Sequence, residues 1–204
     1  MRQPPRDCLQ VWAALMFLTF LMPIGSAWAA EPAFDCAKAE GTIEEMICKD
    51  DRLADLDRKL AAVYSAAARQ AASQPSSLLK AEQRGWIKGR NECWKSDDPR
   101  ACTETLYQNR IAELQARYRL VPEKGPFWFV CDGDPRNEVV VIFFETEPPT
   151  LIAERGDQVS LMYRQPSGSG TKYQGRNETF WEHRGEATIV WGYDAPEMRC
   201  VRKP

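Results

Sequence analysis

The stretch Ser167-Gly168-Ser169-Gly170-Thr171-Lys172-Tyr173 decides the fold of the C-terminal half, together with Phe180-Trp181-Glu182-His183-Arg184-Gly185-Glu186-Ala187-Thr188, which follows after six residues. In the first stretch two glycines alternate with two serines, so the backbone can adopt positive φ angles and no bulky side chain shields it. Such a loop is typical of a hairpin turn between strands. Its hydroxyls, its lysine and its tyrosine predict a protruding, hydrogen-bonding tip with an aromatic side chain at the base.

From residue 127 onward, the sequence has the pattern of short β-strands separated by Gly, Pro, Asp and Asn turns. The candidate strands are 127–131, 138–144, 159–163, 178–181, 187–191 and 198–201. Several short strands at this spacing indicate an antiparallel barrel or a sandwich. We therefore predict an all-β domain over residues 127–204.

Residues 30–120 have instead the periodicity of helices. Apolar residues keep a spacing of three to four along one stripe, formed by Leu53, Leu56, Leu60, Tyr64 and Ala67. Thr42 followed by Glu45 has the pattern of a capping box at a helix start. These features predict a small all-α antiparallel bundle of about 90 residues. A linker at 121–126, which contains Pro122, Gly125 and Pro126, joins it to the β domain.

Residues 1–29 have the features of a cleaved export signal. Arg2 and Arg6 precede an apolar run at 11–21, and Ala27-Trp28-Ala29 supplies small residues at the cleavage position. The run is short for a membrane span, and no cysteine stands at the cleavage position. We therefore expect no membrane anchor and a periplasmic or secreted protein.

The cysteines indicate a disulfide framework. The chain has seven cysteines, and removal of the signal with Cys8 leaves six: Cys36, Cys48, Cys93, Cys102, Cys131 and Cys200. An even number in an exported chain is typical of disulfides. If each half pairs its own cysteines, Cys131 must join Cys200, whereas the first half allows three pairings, of which we favour the local ones, Cys36 with Cys48 and Cys93 with Cys102. Zinc is disfavoured because no pair has the spacing of a zinc knuckle and His183 is the single histidine, so we expect neither metal nor cofactor.

Charge and motifs argue against several classes of function. The chain has 27 basic and 29 acidic residues and no basic patch of the kind that binds nucleic acid. Ser169 does not lie in a Gly-x-Ser-x-Gly elbow, and the sequence has no phosphate-binding glycine loop. No pair of carboxylates stands out by its spacing as a glycosidase pair. We therefore predict a binding protein and not an enzyme.

The two quoted stretches together resemble the signature of the MliC-type inhibitors of C-type lysozyme. That signature is a Ser-Gly-x-x-Tyr loop followed at a fixed separation by Phe-Trp and then by Glu-Ala-Thr. The matching positions are Ser169, Gly170, Tyr173, Phe180, Trp181, Glu186, Ala187 and Thr188. The resemblance covers roughly residues 127–200 and implies an antiparallel barrel of about eight strands, in agreement with the strand pattern.

The resemblance also implies which residues bind lysozyme. The candidates are Ser169, Gly170, Lys172, Tyr173, His183 and Arg184. Members of the family usually have Phe-Trp-x-Lys-Gly, in which the lysine is a key contact, but here His183 stands at the lysine position and Arg184 at the glycine position. If His183 makes the contact, inhibition should strengthen as the pH falls from about 8 to about 6, because histidine gains its proton over this range.

The chemistry of lysozyme suggests how such a loop would act. Its deep cleft holds one protonated carboxyl group and one ionised carboxylate. A serine hydroxyl can donate a hydrogen bond to one of them and accept from the other, and a cation can bind the ionised group. We therefore expect Ser169 to enter the cleft with a basic residue of 180–188 beside it, and Tyr173 to brace the loop. Phe180 and Trp181 are expected in the core and scaffold.

The helical half resembles the LprI-type domain, a family of exported helical domains of which some members are linked to lysozyme inhibition. The resemblance rests on Asp35, Cys36, Ile47, Cys48, Leu53, Leu56, Asp57, Tyr64, Gln83, Trp86, Arg90, Cys93, Cys102, Tyr107, Arg110 and Leu114. Arg90 and Arg110 fit two alternatives, buried or interface ion pairs and solvated helix faces with packed stems.

The sequence as a whole predicts an exported protein inhibitor of C-type lysozyme that protects bacterial peptidoglycan. The alternative is a cell-envelope module that binds peptidoglycan or another glycan without inhibiting lysozyme. An inhibitor should form a stoichiometric complex with soluble lysozyme, whereas a wall-binding module should pellet with purified peptidoglycan.

Overall fold

The computed structural model describes residues 31–71 and 76–204. The export signal predicted at 1–29 lies outside the described residues. Within the described part, no helix is both long enough and apolar enough to cross a membrane.

Four α-helices form the N-terminal half of the described chain. They are α1 (Thr42–Lys49), α2 (Asp51–Gln70), α3 (Ser76–Asn91) and α4 (Pro99–Arg117), with short 3-10 helices at Cys36–Lys38 and Glu92–Lys95. Asp50 caps α2 by accepting a hydrogen bond from the Leu53 N–H at 3.0 Å, and Asp98 caps α4 by accepting one from the Ala101 N–H at 2.9 Å.

The start of α1 differs from the predicted capping box. Thr42 is the first helical residue, and the cap is Gly41, whose φ is +101°. The carboxylate that reaches back over the helix start belongs to Glu44, which accepts a hydrogen bond from the Glu40 N–H at 2.8 Å. The predicted pairing of Thr42 with Glu45 is therefore wrong, because a glycine ahead of the helix takes the backbone turn that the motif assigned to threonine.

The helical core forms along the predicted apolar stripe of α2. Leu53, Leu56 and Leu60 are buried, and they pack against Tyr107 and Leu114 of α4, which are fully buried. The stripe therefore fixes α2 against α4, as its spacing predicted.

Three disulfides cross-link the described chain. They join Cys36 to Cys48, Cys93 to Cys102 and Cys131 to Cys200. The first two are the local pairings that the sequence favoured among its three alternatives. The third joins β1 to β8 and spans a sequence separation of 69 residues, a length that contributes about 4 kcal/mol in the chain-entropy model.

Eight antiparallel strands form a closed barrel in the C-terminal half of the described chain. They are β1 (Glu123–Cys131), β2 (Glu138–Phe144), β3 (Thr150–Arg155), β4 (Gln158–Gln165), β5 (Thr171–Gln174), β6 (Glu178–His183), β7 (Glu186–Trp191) and β8 (Glu197–Arg202). Each strand pairs with the next, and β8 pairs with β1. The barrel prediction is confirmed, and the sandwich alternative is wrong because the sheet closes on itself.

β1 begins inside the segment that was predicted to be a linker. Glu123 and Lys124 already pair with β2, and the register shifts before Phe127. At this irregularity Gly125 has a φ of +130°, and a Cβ there would lie 2.9 Å from the carbonyl oxygen of Val141. A bulge with glycine thus lets a Gly-Pro pair, which is typical of a linker, continue a strand.

Alternate residues of the strands fill the interior of the barrel. Phe129, Leu151, Met162, Phe180 and Ile189 all lie in this core. The rings of Phe129 and Phe180 meet edge to face with their centroids 5.3 Å apart. Because side chains pack the interior, the residues available to a partner are those on the outer face and at the ends.

The helical bundle packs against one side of the barrel. Ala116 of α4 is buried with Ile142 and Phe144 of β2 in one apolar cluster. The Tyr163 hydroxyl of β4 donates a hydrogen bond to the Asn109 carbonyl at 3.1 Å, and burial raises the pKa of this hydroxyl, which keeps it protonated. Apolar packing and a hydrogen bond therefore join the two halves.

Candidate protein-binding site

The loop and the turn singled out by the sequence lie at the same end of the barrel. In a closed barrel of consecutive antiparallel strands, every second connection lies at one end. This rule groups the β2–β3 loop (145–149), the β4–β5 loop (166–170) and the β6–β7 turn (184–185). Thr171 of β5 pairs with Glu182 of β6, so the β4–β5 loop and the β6–β7 turn are neighbours.

Hydrogen bonds fix the backbone of the β4–β5 loop. The carbonyl oxygen of Ser169 accepts one from the Ser167 hydroxyl at 2.6 Å and a second from the Trp181 indole N–H at 2.9 Å. The exposed Ser169 hydroxyl itself makes no hydrogen bond with any residue that the structure describes. The loop is thus held in place while its terminal hydroxyl is available to a partner.

Gly170 is required by the close approach of the loop to β6. Its φ is +66°, and a Cβ at this position would lie 2.3 Å from the carbonyl oxygen of Glu182 and 3.1 Å from the Cβ of His183. Any other residue would force the backbone to move. Gly168 has open space around it, so the geometry requires only one of the two loop glycines.

Tyr173 supports the loop from inside the barrel. It is buried, and its ring centroid lies 5.6 Å from that of Phe143. Burial raises the pKa of its hydroxyl, and the charge of Arg164 opposes this shift. The structure therefore places this candidate in the core below the loop and away from the surface.

The two residues of the Phe-Trp pair, expected as core and scaffold, lie on opposite faces of β6. Phe180 is fully buried, whereas Trp181 is 44% exposed. Consecutive strand residues point to opposite faces, so only one of the pair enters the barrel. Trp181 nevertheless acts as scaffold through its hydrogen bond to Ser169, and the Lys172 ammonium lies 5.7 Å from the centre of its ring.

A row of directly opposed residues crosses four strands on the outer face. Lys172 of β5 pairs with Trp181 of β6, Trp181 with Thr188 of β7, and Thr188 with Arg199 of β8. Opposed residues share one face of a sheet, so these side chains are neighbours. The sequence did not identify Arg199 as a candidate, because only the pairing of β6, β7 and β8 brings it near the loop.

His183 and Arg184 lie at the β6–β7 turn. His183 is the last residue of β6 and directly opposes Glu186 of β7. Arg184 and Gly185 form the two-residue turn with φ angles of +56° and +89°, which is the geometry of a type I′ turn. Arginine thus occupies a left-handed position where the resembled signature has glycine.

Residues of three strands and the loop line one groove on the outer face. Its lining includes Ser169, Trp181, His183, Glu186, Thr188 and Arg199, and its volume is about 610 Å³. Two predicted candidates, Ser169 and His183, therefore meet in this groove, whereas Gly170, Lys172, Tyr173 and Arg184 are not part of its lining.

The groove contains the residue types of a hydrolytic triad. However, no hydrogen bond within the described part of the chain joins Ser169, His183 and Glu186 to one another. Activation of a serine requires such a chain of hydrogen bonds. Among residues 31–71 and 76–204, no three His, Cys, Asp or Glu side chains are placed to hold a metal ion.

The two arginines of the helical half form buried interactions and do not lie on solvated faces. Arg90 donates to the Tyr107 hydroxyl at 2.7 Å and to Glu44 at 3.3 Å. Arg110 donates to Glu113 at 2.8 Å and to Gln83 at 3.2 Å. Both side chains are 4% exposed, which decides between the two alternatives that the sequence left open.

Comparisons with known proteins bear on both halves of the chain. The family model described as "Membrane-bound lysozyme-inhibitor of c-type lysozyme" matches residues 129–198, and the model described as "Lysozyme inhibitor LprI" matches residues 35–115. The protein named "Lipoprotein LprI" in Mycobacterium bovis, and its counterparts in two strains of Mycobacterium tuberculosis, are 28% identical to the chain over 161 residues. The aligned region covers 78% of this chain and 80% of each relative.

These matches agree with the fold of each half, four helices followed by a closed barrel of eight strands. Both matched models are described as lysozyme inhibitors. The helical half of the chain is therefore similar to the LprI lysozyme-inhibitor model, and the barrel half is similar to the model of the membrane-bound inhibitor of c-type lysozyme.

Proposed function

We propose that this protein inhibits C-type lysozyme by placing the β4–β5 loop in the active-site cleft of the enzyme, and thereby protects peptidoglycan from hydrolysis. The observation that carries the proposal is the Ser169 hydroxyl, which bonds to no described residue and lies on a loop that Trp181 and Gly170 hold in place. The two family matches support lysozyme as the partner.

The loop is suited to the chemistry of the cleft. The hydroxyl can accept a hydrogen bond from the protonated catalytic carboxyl group and donate one to the ionised carboxylate. The two hydrogen bonds to the Ser169 carbonyl set the loop conformation before binding. Ordering the loop in advance lowers the entropy cost of association. Inhibition thus requires only that the loop fill the cleft, with no chemical step.

The proposal includes an exported, two-domain arrangement. Residues 1–29 are the cleaved export signal, 30–120 the helical domain, 121–126 a connection whose last part belongs to β1, and 127–204 the barrel domain. The relatives carry the name lipoprotein, whereas no cysteine stands at the cleavage position of this sequence. The protein would therefore act in the periplasm or outside the cell without a lipid anchor.

A second candidate function is binding of a glycan without inhibition. The exposed indole of Trp181 on the groove favours it, because an aromatic face can pack against a sugar ring. Sedimentation with purified peptidoglycan separates the two functions. A protein that pellets with peptidoglycan and forms no complex with soluble lysozyme would be a glycan-binding module.

Substitution of Ser169 tests the proposed contact. Loss of a hydrogen bond to a charged group costs about 1.5–3 kcal/mol, so Ser169→Ala should raise the Kd for lysozyme roughly tenfold or more, and Ser169→Tyr should raise it further by blocking the cleft. The melting temperature should not change, because the hydroxyl bonds to no described residue.

Calorimetric titration with a C-type lysozyme measures these Kd values. Ser167→Ala is the comparison variant: it removes one of the two hydrogen bonds that hold the loop and leaves the Ser169 hydroxyl intact, so it should raise the Kd less than Ser169→Ala does. An unchanged Kd for both Ser169 variants would show that the loop does not make the contact.

A further inference from the structure

The groove beside Ser169 contains charged residues of both signs, and their positions decide which cation can face a partner. His183 directly opposes Glu186, and both side chains are exposed. Opposed residues in an antiparallel pair have Cβ atoms about 4.5–5.5 Å apart. A carboxylate on the neighbouring strand thus lies beside His183, and its negative charge disfavours the approach of a partner's carboxylate at this position.

Arg184 is also poorly placed for the groove. It occupies the first position of the β6–β7 turn with a φ of +56° and is not part of the groove lining. A residue at the tip of a turn projects from the end of the barrel, beyond the strand faces that line the groove.

Arg199 combines a place in the groove lining, which Arg184 lacks, with a guanidinium group, which His183 lacks. It is exposed on the outer face of β8, it lines the groove with Ser169, and the residue opposite is the uncharged Thr188. No carboxylate of the described chain lies within 4.0 Å of its guanidinium. Arginine stays charged at every physiological pH.

The backbone around Arg199 is fixed on the side facing β1. The Arg199 N–H donates to the Asp132 carboxylate at 3.0 Å, and the Arg199 carbonyl accepts from the Asp132 N–H at 2.7 Å. Both of these hydrogen bonds join Asp132 to the main chain of Arg199.

The Arg199 side chain lies within reach of the loop. Arg199 is two strands away from Trp181, which corresponds to about 10 Å between their Cα atoms, and Trp181 donates a hydrogen bond to the Ser169 carbonyl. A long side chain can cover much of that distance over the short Thr188.

We infer that Arg199 is the cation that binds the ionised carboxylate of the lysozyme cleft, and that the Ser169 hydroxyl binds in the same cleft. The inference rests on the proposed function and names the specificity-determining charge within it. A planar guanidinium binds a carboxylate through two parallel hydrogen bonds. The barrel would thereby replace the lysine of the resembled signature with an arginine from a different strand.

Charge-neutralising variants of the folded, oxidised protein test this assignment. Arg199→Gln should raise the Kd for a C-type lysozyme about tenfold to a hundredfold, and Arg199→Lys should restore part of the affinity because it keeps the charge. Arg176→Gln is the matched control, since Arg176 is an exposed arginine in the β5–β6 loop at the opposite end of the barrel. His183→Gln and Arg184→Gln test the other two cations, and each should raise the Kd less than Arg199→Gln does.

The pH gives a second readout. Glu186 of β7 is the titratable group that opposes His183 on the paired strand, and Val201 of β8 is the next residue across. Because Arg199 and not His183 makes the proposed contact, the ratio of the Kd of His183→Gln to the Kd of the unmodified protein should be the same at pH 6 and pH 8. This holds even if lysozyme itself titrates, since both proteins meet the same lysozyme. A ratio that grows at pH 6 would assign the contact to the histidine.

The outcomes separate this inference from the proposed function. If the unmodified protein binds lysozyme and Arg199→Gln behaves like Arg176→Gln while His183→Gln or Arg184→Gln loses affinity, the assignment of Arg199 is wrong and the proposed function stands. If the unmodified, folded protein does not bind lysozyme, the proposed function fails and the inference fails with it.

Discussion

Single residues of the β4–β5 loop differ in what the fold demands of them. Gly170 has a positive φ and no room for a Cβ next to Glu182, whereas Gly168 has open space and a φ outside the left-handed region. The Ser169 hydroxyl has no structural partner among the described residues, although its carbonyl has two. Gly170 and the Ser169 carbonyl therefore fix the shape of the loop, whereas the Ser169 hydroxyl is available to a partner.

The two glycines give a matched pair of variants. Gly170→Ala should destabilise the protein by at least about 1 kcal/mol, because alanine is strained at positive φ and its Cβ meets the backbone of β6. It should also weaken lysozyme binding, since relief of the clash moves Ser169. Gly168→Ala should change stability by less than about 0.5 kcal/mol and leave binding intact. Thermal unfolding and calorimetry measure both effects, and equal behaviour of the two variants would contradict the loop geometry.

The sequence named some residues of the groove and missed others for identifiable reasons. Ser169 and His183 could be named as candidates because the motif that contains them is local. The sequence assigned the Phe-Trp pair to core and scaffold, and alternation along β6 places Phe180 inside the barrel and Trp181 on its outer face. Arg199 gave no local signal, since its groove neighbours belong to strands that only barrel closure brings beside β8.

Among the structural elements, the β6–β7 turn shows most clearly how the sequence departs from the resembled signature. Its two residues have positive φ angles, and the first of them is Arg184. A type I′ turn favours Asn-Gly at these positions because asparagine tolerates the left-handed region. Arg184 therefore strains the turn. This strain lowers the stability of the β6–β7 hairpin and is separate from any contact with lysozyme.

Relief of this strain should be measurable. Arg184→Asn should raise the free energy of unfolding by about 1 kcal/mol, which corresponds to an increase in Tm of about 2–4 °C for a chain of this size. Arg184→Ala, which keeps the unfavourable φ, should stay close to the unmodified protein. A lower Tm for Arg184→Asn would mean that the arginine side chain stabilises the turn through contacts absent from the structure.

Strands were recognised from the sequence where β-branched and apolar residues form a continuous run, and were missed or misplaced where turn-forming or polar residues interrupt it. The run at 138–144 was predicted with the bounds of β2, because it is rich in β-branched residues. Two strands were missed. β5 has only four residues, and three of them are polar. β3 is short and directly follows Pro148 and Pro149, which are typical of a loop. β1 was placed too late because Gly125 and Pro126 are typical of a linker, and pairing with β2 overrides that local tendency.

At the scale of the whole molecule, the helical bundle borders the end of the barrel that carries the loop. The chain enters β1 at this end, and Glu147 of the β2–β3 loop lines a common cleft with Arg52 and Lys59 of α2. The apolar cluster around Phe144 and the Tyr163 hydrogen bond hold the two halves together. A lysozyme molecule that receives the loop would therefore approach the bundle as well.

The central claim, that the protein inhibits lysozyme, is tested most directly by the lysis of lysozyme-sensitive bacterial cells. The turbidity of a cell suspension would be followed at a fixed concentration of C-type lysozyme, titrated with the oxidised protein that lacks the proposed export signal. We predict a saturating loss of lysis near equimolar protein, as expected for a tight one-to-one complex. Full lysis in the presence of a molar excess of correctly folded, fully oxidised protein would contradict the account.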